Sequence, residues 1–215
     1  MSVFEIKDVS YSYDKSKRIL TAVNAVFETG KMYAILGVSG SGKTTLLSLL
    51  GGLDVPQKGE ILFDGVDISE HTLEYHRRNH VSLIFQSYNL IDYMTPVENV
   101  KLTAKQDALL VLKHLGLTED EVKRNIMKLS GGQQQRVAIA RTLASDTPII
   151  LADEPTGNLD EDTANEIISI FQKLAHEQEK CVVVVTHSRE LAEQADIVLR
   201  LKKGKIADDT DSGEN

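Results

Sequence analysis

Short apolar runs of strand length alternate along this chain with longer stretches of helical period. Residues 3–9 alternate between two faces, Val3, Glu5 and Lys7 against Phe4, Ile6 and Asp8, and Val23 to Glu28 reads the same way. Both predict an opening antiparallel β segment. Continuous apolar runs follow at Met32 to Leu36, Val81 to Phe85, Ile149 to Ala152, Val182 to Thr186 and Ile197 to Leu201. Helical patterns separate them, so the runs predict a mainly parallel sheet covered on both faces. One such helix runs from about residue 43 to Leu50, where Gly51-Gly52 stops it. Another spans 161–176, with Ala164, Ile167, Ile168, Phe171, Leu174 and Ala175 on one stripe and Glu161, Asp162, Glu166 and Lys173 off it.

Between the runs at 81–85 and 149–152 no strand pattern occurs. Helical segments are expected at 105–115, from Thr118 onward, where Thr118 and Glu121 make a capping-box pattern, and from about Gln133 through Leu143. The reading is a helical lobe, about 87–147, inserted in the α/β core of a single domain, 1–207, with 208–215 as an acidic tail.

The length, 215 residues, suits one such domain. Lys plus Arg is 24 against 32 for Asp plus Glu, and the resulting charge of −8 argues against broad nucleic-acid or anionic-membrane binding. Half of that excess sits at Asp208, Asp209, Asp211 and Glu214, read as a solvated tail. The lone Cys181 and the lack of zinc-type spacing exclude a disulfide-stapled scaffold and fit a reducing cytoplasm. Beside Val182 to Val185, its thiol is expected to be buried and inert. The first residues have no basic region leading into an apolar stretch, and no run reaches the ~18 apolar residues of a membrane span. No direct membrane insertion is therefore expected.

Gly37-Val38-Ser39-Gly40-Ser41-Gly42-Lys43-Thr44 fits G-x-x-x-x-G-K-[ST] between an expected strand and helix, the setting of a P-loop NTPase. Glycines let backbone N–H groups turn around phosphate oxygens, and the helix N-terminus adds unsatisfied donors. Lys43 would reach the β- and γ-phosphates of ATP, and the Thr44 hydroxyl would ligate Mg²⁺. Ile149 to Ala152 ends in Asp153 and Glu154, two charges that are costly at a buried strand end unless occupied. Asp153 suits the metal side and Glu154 the polarisation of an attacking water. Taken alone, such carboxylates are ordinary turn residues; it is the glycine loop that favours the functional reading.

Leu129-Ser130-Gly131-Gly132-Gln133-Gln134-Gln135-Arg136 opens a helical pattern and would make a second anion-type helix end. In this form it resembles the LSGGQ signature of ATP-binding cassette (ABC) ATPases. Gln86 after the strand at 81–85, Gly157-Asn158-Leu159-Asp160 after the acidic strand and His187 after Thr186 are similar to that family's Q-loop, D-loop and switch histidine. The resemblance covers residues 3–207. It implies an ABC ATPase fold and an ATP site drawn from Ser39, Gly40, Ser41, Gly42, Lys43, Thr44 and Thr45. It places an aromatic on adenine at Tyr13, with Tyr11 as a competitor. It also implies Mg²⁺ at Thr44, Gln86 and Asp153, and catalysis by Glu154, His187, Lys43 and Gln86. Ser130, Gly131, Gly132, Gln133 and Asp160 would act across a head-to-tail homodimer with ATP at the interface.

The same resemblance implies a separate transmembrane permease and a peripheral place at the inner face of the cell membrane. Asp153 to Asp160, Gly51-Gly52-Leu53-Asp54 and Phe85 to Leu90 are similar to the branch of lipoprotein-releasing, macrolide-efflux, antimicrobial-peptide-resistance and cell-division ATPases. From that branch the chain departs by reaching Leu115-Gly116-Leu117 soon after Glu98-Asn99-Val100. The alternative is a soluble ABC ATPase of DNA maintenance or cofactor assembly; a chromosome-maintenance type would need a long coiled-coil insertion and a ribosome-acting type usually carries two cassettes in tandem, and neither feature is in this sequence.

Overall fold

The computed structural model describes residues 3–14 and 18–208. In chain order the elements are β1 (Val3–Ser12), β2 (Arg18–Glu28), β3 (Met32–Leu36), α1 (Lys43–Leu50), β4 (Lys58–Phe63), β5 (Val66–Asp67), α2 (Leu73–Asn79) and β6 (Val81–Ile84). Then come α3 (Pro96–Lys101), α4 (Ala108–His114), α5 (Gly131–Ser145), β7 (Ile149–Asp153), α6 (Glu161–His176), β8 (Cys181–Thr186), α7 (Arg189–Glu193), β9 (Ile197–Lys202) and β10 (Lys205–Asp208).

The apolar runs form a six-stranded sheet of order β10-β9-β3-β8-β7-β6, parallel except for β10. Successive side chains of a strand face opposite ways, and here both faces are covered. Tyr33, Ile35, Cys181, Val183 and Val185 join one core with Leu46, Leu47, Leu49 and Leu50 of α1. Met32, Ala34, Val182 and Val184 join the other, with Ile167, Phe171 and Leu174 of α6 and Val137 to Ala140 of α5. Register brings the C-terminal strand ends level: Leu36 pairs Thr186, Asp153 pairs Val185 and Ile84 pairs Ala152. Ligands of open parallel sheets bind along such an edge.

The opening segment is antiparallel as expected, but larger. β1 runs on to Ser12, β2 begins at Arg18, and β4 and β5 complete a sheet of order β2-β1-β4-β5. The sequence reading missed β4 because only Ile61 and Leu62 of its six residues are buried. Gly59 is required there: at φ 80° it passes a bulge of β1, and a Cβ would lie 2.3 Å from the Lys7 carbonyl oxygen.

Several boundaries are corrected. β6 stops at Ile84, one residue before Phe85, and the helix expected at 105–115 is shorter, beginning at Ala108 under the N-cap Asp107. Thr118 and Glu121 do exchange capping-box hydrogen bonds, Thr118 N to Glu121 Oε2 at 2.7 Å and Glu121 N to Thr118 Oγ1 at 3.3 Å. What they cap is a single 3₁₀ turn, Glu121–Lys123, not a helix. Only Val122 and Ile126 of that stretch are buried, so no apolar stripe extends it, and Asn125 caps a second short turn. Asp208, expected in the tail, is the last residue of β10. Asp209, Asp211 and Glu214 lie outside the described residues.

Cys181 is buried and free, and burial pushes its thiol up to about 12. Among the described residues no helix is long and apolar enough to cross a membrane.

Candidate functional site

The loop 37–42 carries the chain from β3 into α1. Gly40 and Gly42 take φ 74° and 102°, the left-handed region that a side chain disfavours, and Gly42 is the N-cap of α1. The first-turn N–H groups of α1 have no acceptor within their own helix and face the loop. Lys43 is almost fully buried; its Nζ donates to the Gly37 carbonyl at 2.7 Å and the Val38 carbonyl at 3.4 Å. The same Nζ lies 3.5 Å from Glu154 Oε1. Ser41 Oγ is buried without a hydrogen-bond partner among the described residues.

Beside the loop, β7 delivers both carboxylates. Thr44 Oγ1 donates to Asp153 Oδ2 at 2.9 Å, and burial pushes the Asp153 carboxyl up despite that hydrogen bond. Glu154 sits at φ 45°, which turns its side chain from the strand toward the end of β8. There Glu154 Oε2 accepts from Thr186 Oγ1 at 3.0 Å and from the His187 N–H at 3.2 Å, while Oε1 is 2.9 Å from His187 Nδ1. A non-glycine residue held at positive φ by three partners is characteristic of a functional site.

These groups line a cleft of about 720 Å³. Of the residues expected in it, Tyr13, Ser39, Gly40, Gly42, Lys43, Thr44, Thr45, Gln86, Asp153, Glu154 and His187 are present. Ser41 faces a neighbouring cleft behind the loop. The two tyrosines separate sharply. Tyr13 is 68% exposed at the cleft and shares a hydrogen bond of 2.9 Å with Thr45 Oγ1, whereas Tyr11 is buried and donates to Asp54. That acceptor, with burial, pushes the Tyr11 phenol up to about 12.

Ser130, Gly131, Gly132, Gln133 and Asp160 do not line this cleft. Ser130 caps α5, with Gln133 N to Ser130 Oγ at 3.3 Å and Ser130 N to Gln133 Oε1 at 2.8 Å, and Gln133 Nε2 continues to Glu121 Oε1 at 2.6 Å. The Gln133 amide is thus spent inside its own lobe. Asp160 caps α6 through Thr163, whose N–H and hydroxyl hold its carboxyl below the usual range. A Cβ on Gly132 would come within 2.6 Å of Thr163 Cγ2, so the starts of α5 and α6 touch at the exposed end of the lobe.

The family pattern described as ABC transporter matches residues 20–157. The chain belongs to the ABC transporter family. An uncharacterized ABC transporter ATP-binding protein of Bacillus subtilis, YclH, is 46% identical over 96% of both chains. The macrolide export ATP-binding/permease protein MacB of Pasteurella multocida is 40% identical over 99% of this chain, which corresponds to 35% of that longer protein. The dimeric structure of MJ0796, an ABC transporter cassette from Methanocaldococcus jannaschii, superposes with a TM-score of 0.85 at 38% identity, covering 94% of this chain and 96% of that one. The same cassette is also known as a dimer in a post-hydrolysis state with ADP and Pi.

The protein is accordingly an ABC-type ATPase, the ATP-binding subunit of an ABC transporter, with the ABC cassette fold. Sequence reasoning missed one partner of Glu154, Thr186, which donates to Glu154 Oε2 and also accepts from the Ser188 N–H at 3.0 Å. Its one sequence signal is adjacency to His187 at a strand end.

Proposed function

We propose that this subunit hydrolyses Mg²⁺-ATP in the Lys43–Glu154 cleft and couples the reaction, as a homodimer, to a separate transmembrane permease. The observation that carries the reading is one carboxylate, Glu154, placed within 3.5 Å of both the loop lysine and His187. The donor set fits Mg²⁺: Thr44 Oγ1 and Asp153 Oδ2 are hard oxygens 2.9 Å apart, and Gln86 shares their cleft. Two protein oxygens suffice for an ion that usually keeps waters and takes phosphate oxygens as its other ligands. When bound there, Mg²⁺ neutralises phosphate charge. Lys43 and the α1 N-terminus hold the β- and γ-phosphates, and Tyr13 offers its exposed ring to adenine. Glu154 Oε1 accepts the proton of the attacking water, and His187 contacts the γ-phosphate.

Ser130 to Gly132 and Asp160 lie outside this cleft, which supports a role for them on the ATP of a second copy. Two such contacts related by a two-fold axis would close one interface over two nucleotides. The similarity to MacB-type proteins supports an efflux or lipoprotein-release-like branch, with the subunit at the inner face of the membrane. A net charge of −8 speaks against a nucleic-acid partner. Light scattering after size-exclusion chromatography tests the dimer: Glu154→Gln should elute as a dimer with ATP and as a monomer without it. A variant that binds ATP yet stays monomeric at tens of micromolar would count against the reading.

A further inference from the structure

Gln86 is the one cleft residue supplied by the chain between β6 and the helical lobe, and it leads into an unusual turn. Tyr88 and Asn89 are consecutive left-handed residues, at φ 62° and 47°, neither of them glycine. Local hydrogen bonds close the turn, Tyr88 N to the Phe85 carbonyl at 2.9 Å and Asn89 N to the Ser87 carbonyl at 2.7 Å. Such a turn aims two successive carbonyls outward, and both meet one side chain. Arg141, from the second half of α5, donates from Nη1 to the Asn89 carbonyl at 2.6 Å and from Nη2 to the Tyr88 carbonyl at 3.0 Å. A planar guanidinium can hold two acceptors at fixed separation, which an ammonium cannot.

The Tyr88 ring reaches the other end of the same helix. Its hydroxyl oxygen lies 3.4 Å from where a Cβ of Gly131 would stand, and Gly131 is the first residue of α5. Arg141 is ten residues further on, about 15 Å along the axis. The turn after Gln86 is therefore fastened to the second half of α5 by its carbonyls at Arg141, while its ring lies beside the start of the same helix at Gly131. Displacement of the backbone at Tyr88 and Asn89 relative to α5 would break the Arg141 clamp, two residues from Gln86.

We propose that Arg141 is a positioning residue of the ATPase reaction: by clamping the Tyr88 and Asn89 carbonyls it fixes Gln86 in the cleft and ties it to the helix that begins at Gly131. Arg141 touches no part of the cleft and acts through Gln86. The inference rests on the proposed role of Gln86 in hydrolysis.

The test is a cycle of Arg141→Lys, Gln86→Ala and the double variant, read as kcat and KM for ATP, with nucleotide affinity and melting temperature measured alongside. Arg141→Lys should lower kcat about tenfold, leave KM and ATP affinity within twofold of the parent, and add less than twofold to the defect of Gln86→Ala. An unchanged kcat, or an equal loss with and without Gln86, overturns the proposal and makes Arg141 a packing residue. Should Arg141→Lys unfold, exposed Asn89 offers the second variant. Asn89→Ala disfavours the left-handed turn without touching a core, and should reproduce the kcat loss at constant KM; wild-type kcat there overturns the proposal equally. Lys43→Ala and Gln86→Ala are run in parallel. Full activity in those variants would sink the site reading itself, whereas loss there with normal Arg141 variants sinks only this inference.

Discussion

Glu154 Oε1 and His187 Nδ1 stand 2.9 Å apart, and the same oxygen lies 3.5 Å from Lys43 Nζ. The second carboxylate oxygen is taken by Thr186 Oγ1 at 3.0 Å and the His187 N–H at 3.2 Å. One side chain thus draws together the ends of β7 and β8 and the start of α1. An amide at position 154 keeps the shape and removes the base. Phosphate release by Glu154→Gln is expected to fall by ~10²–10⁴, the usual contribution of a general base. ATP affinity should be retained, and Thr186→Val should show a smaller loss of kcat with KM little changed. Steady-state phosphate release checks both, and a Glu154→Gln rate within twofold of the parent would falsify the assignment.

Thr44 and Asp153 make the second pairing, at 2.9 Å. Thr44→Val removes a hydroxyl that serves both Asp153 and the proposed Mg²⁺. The Mg²⁺ concentration for half-maximal activity should rise, on the order of the 10–100-fold typical when a ligand's support is lost. Activity is titrated with Mg²⁺ at saturating ATP. An unchanged midpoint assigns the pair to structure alone.

Tyr13 and Tyr11 give opposite expectations. Tyr13→Ala should raise KM for ATP with little change in stability, since an exposed ring that stacks on a base contributes about 1–3 kcal/mol to binding. Tyr11→Phe should leave KM alone and lower stability by about 1 kcal/mol through loss of its bond to Asp54. ATP kinetics and urea unfolding are compared in the two variants. A raised KM in Tyr11→Phe alone would reverse the assignment.

His76 predicts a pH dependence that lies away from the cleft. It is buried under the C-terminal end of α1, with Nε2 3.0 Å from the Leu50 carbonyl and Nδ1 3.3 Å from His80 Nδ1. Burial, opposed by the Leu50 carbonyl, pushes its imidazole down from 6.5 to about 4. The unfolded chain therefore binds the proton first. The stability contributed by neutral His76 is complete above pH 6.5 and is lost as the pH falls toward 4. Between pH 7 and pH 5 this amounts to about 2 kcal/mol. Urea unfolding at the two pH values should show the drop, and His76→Gln should reduce it; the same drop in the variant would place its origin elsewhere.

Much of the site was legible because its parts are contiguous in the chain. A glycine loop needs Gly40, Gly42 and Lys43 within four residues, and the strand leading into Asp153 and Glu154 announces itself as four apolar residues in a row, Ile149 to Ala152. The parallel sheet was legible for the same reason, since strands buried on both faces read as unbroken apolar runs. β4 was not, because only the adjacent Ile61 and Leu62 are buried, too short a run to show a strand period, and the 3₁₀ turn after Thr118 was not, because capping bonds form whether or not a helix follows.

By itself, then, the sequence determined that a glycine loop and a pair of carboxylates sit at strand ends, since local spacing and apolar periodicity are enough for that. Only the tertiary structure decided that Tyr13 faces the cleft while Tyr11 is tied to Asp54, that the Gln133 amide reaches Glu121, and that Thr186 holds Glu154. It alone joined Arg141 to the turn after Gln86, across 52 and 53 residues of chain. These are choices among partners distant in sequence, and they depend on strand register and on how the lobe packs against the sheet, which no local pattern encodes.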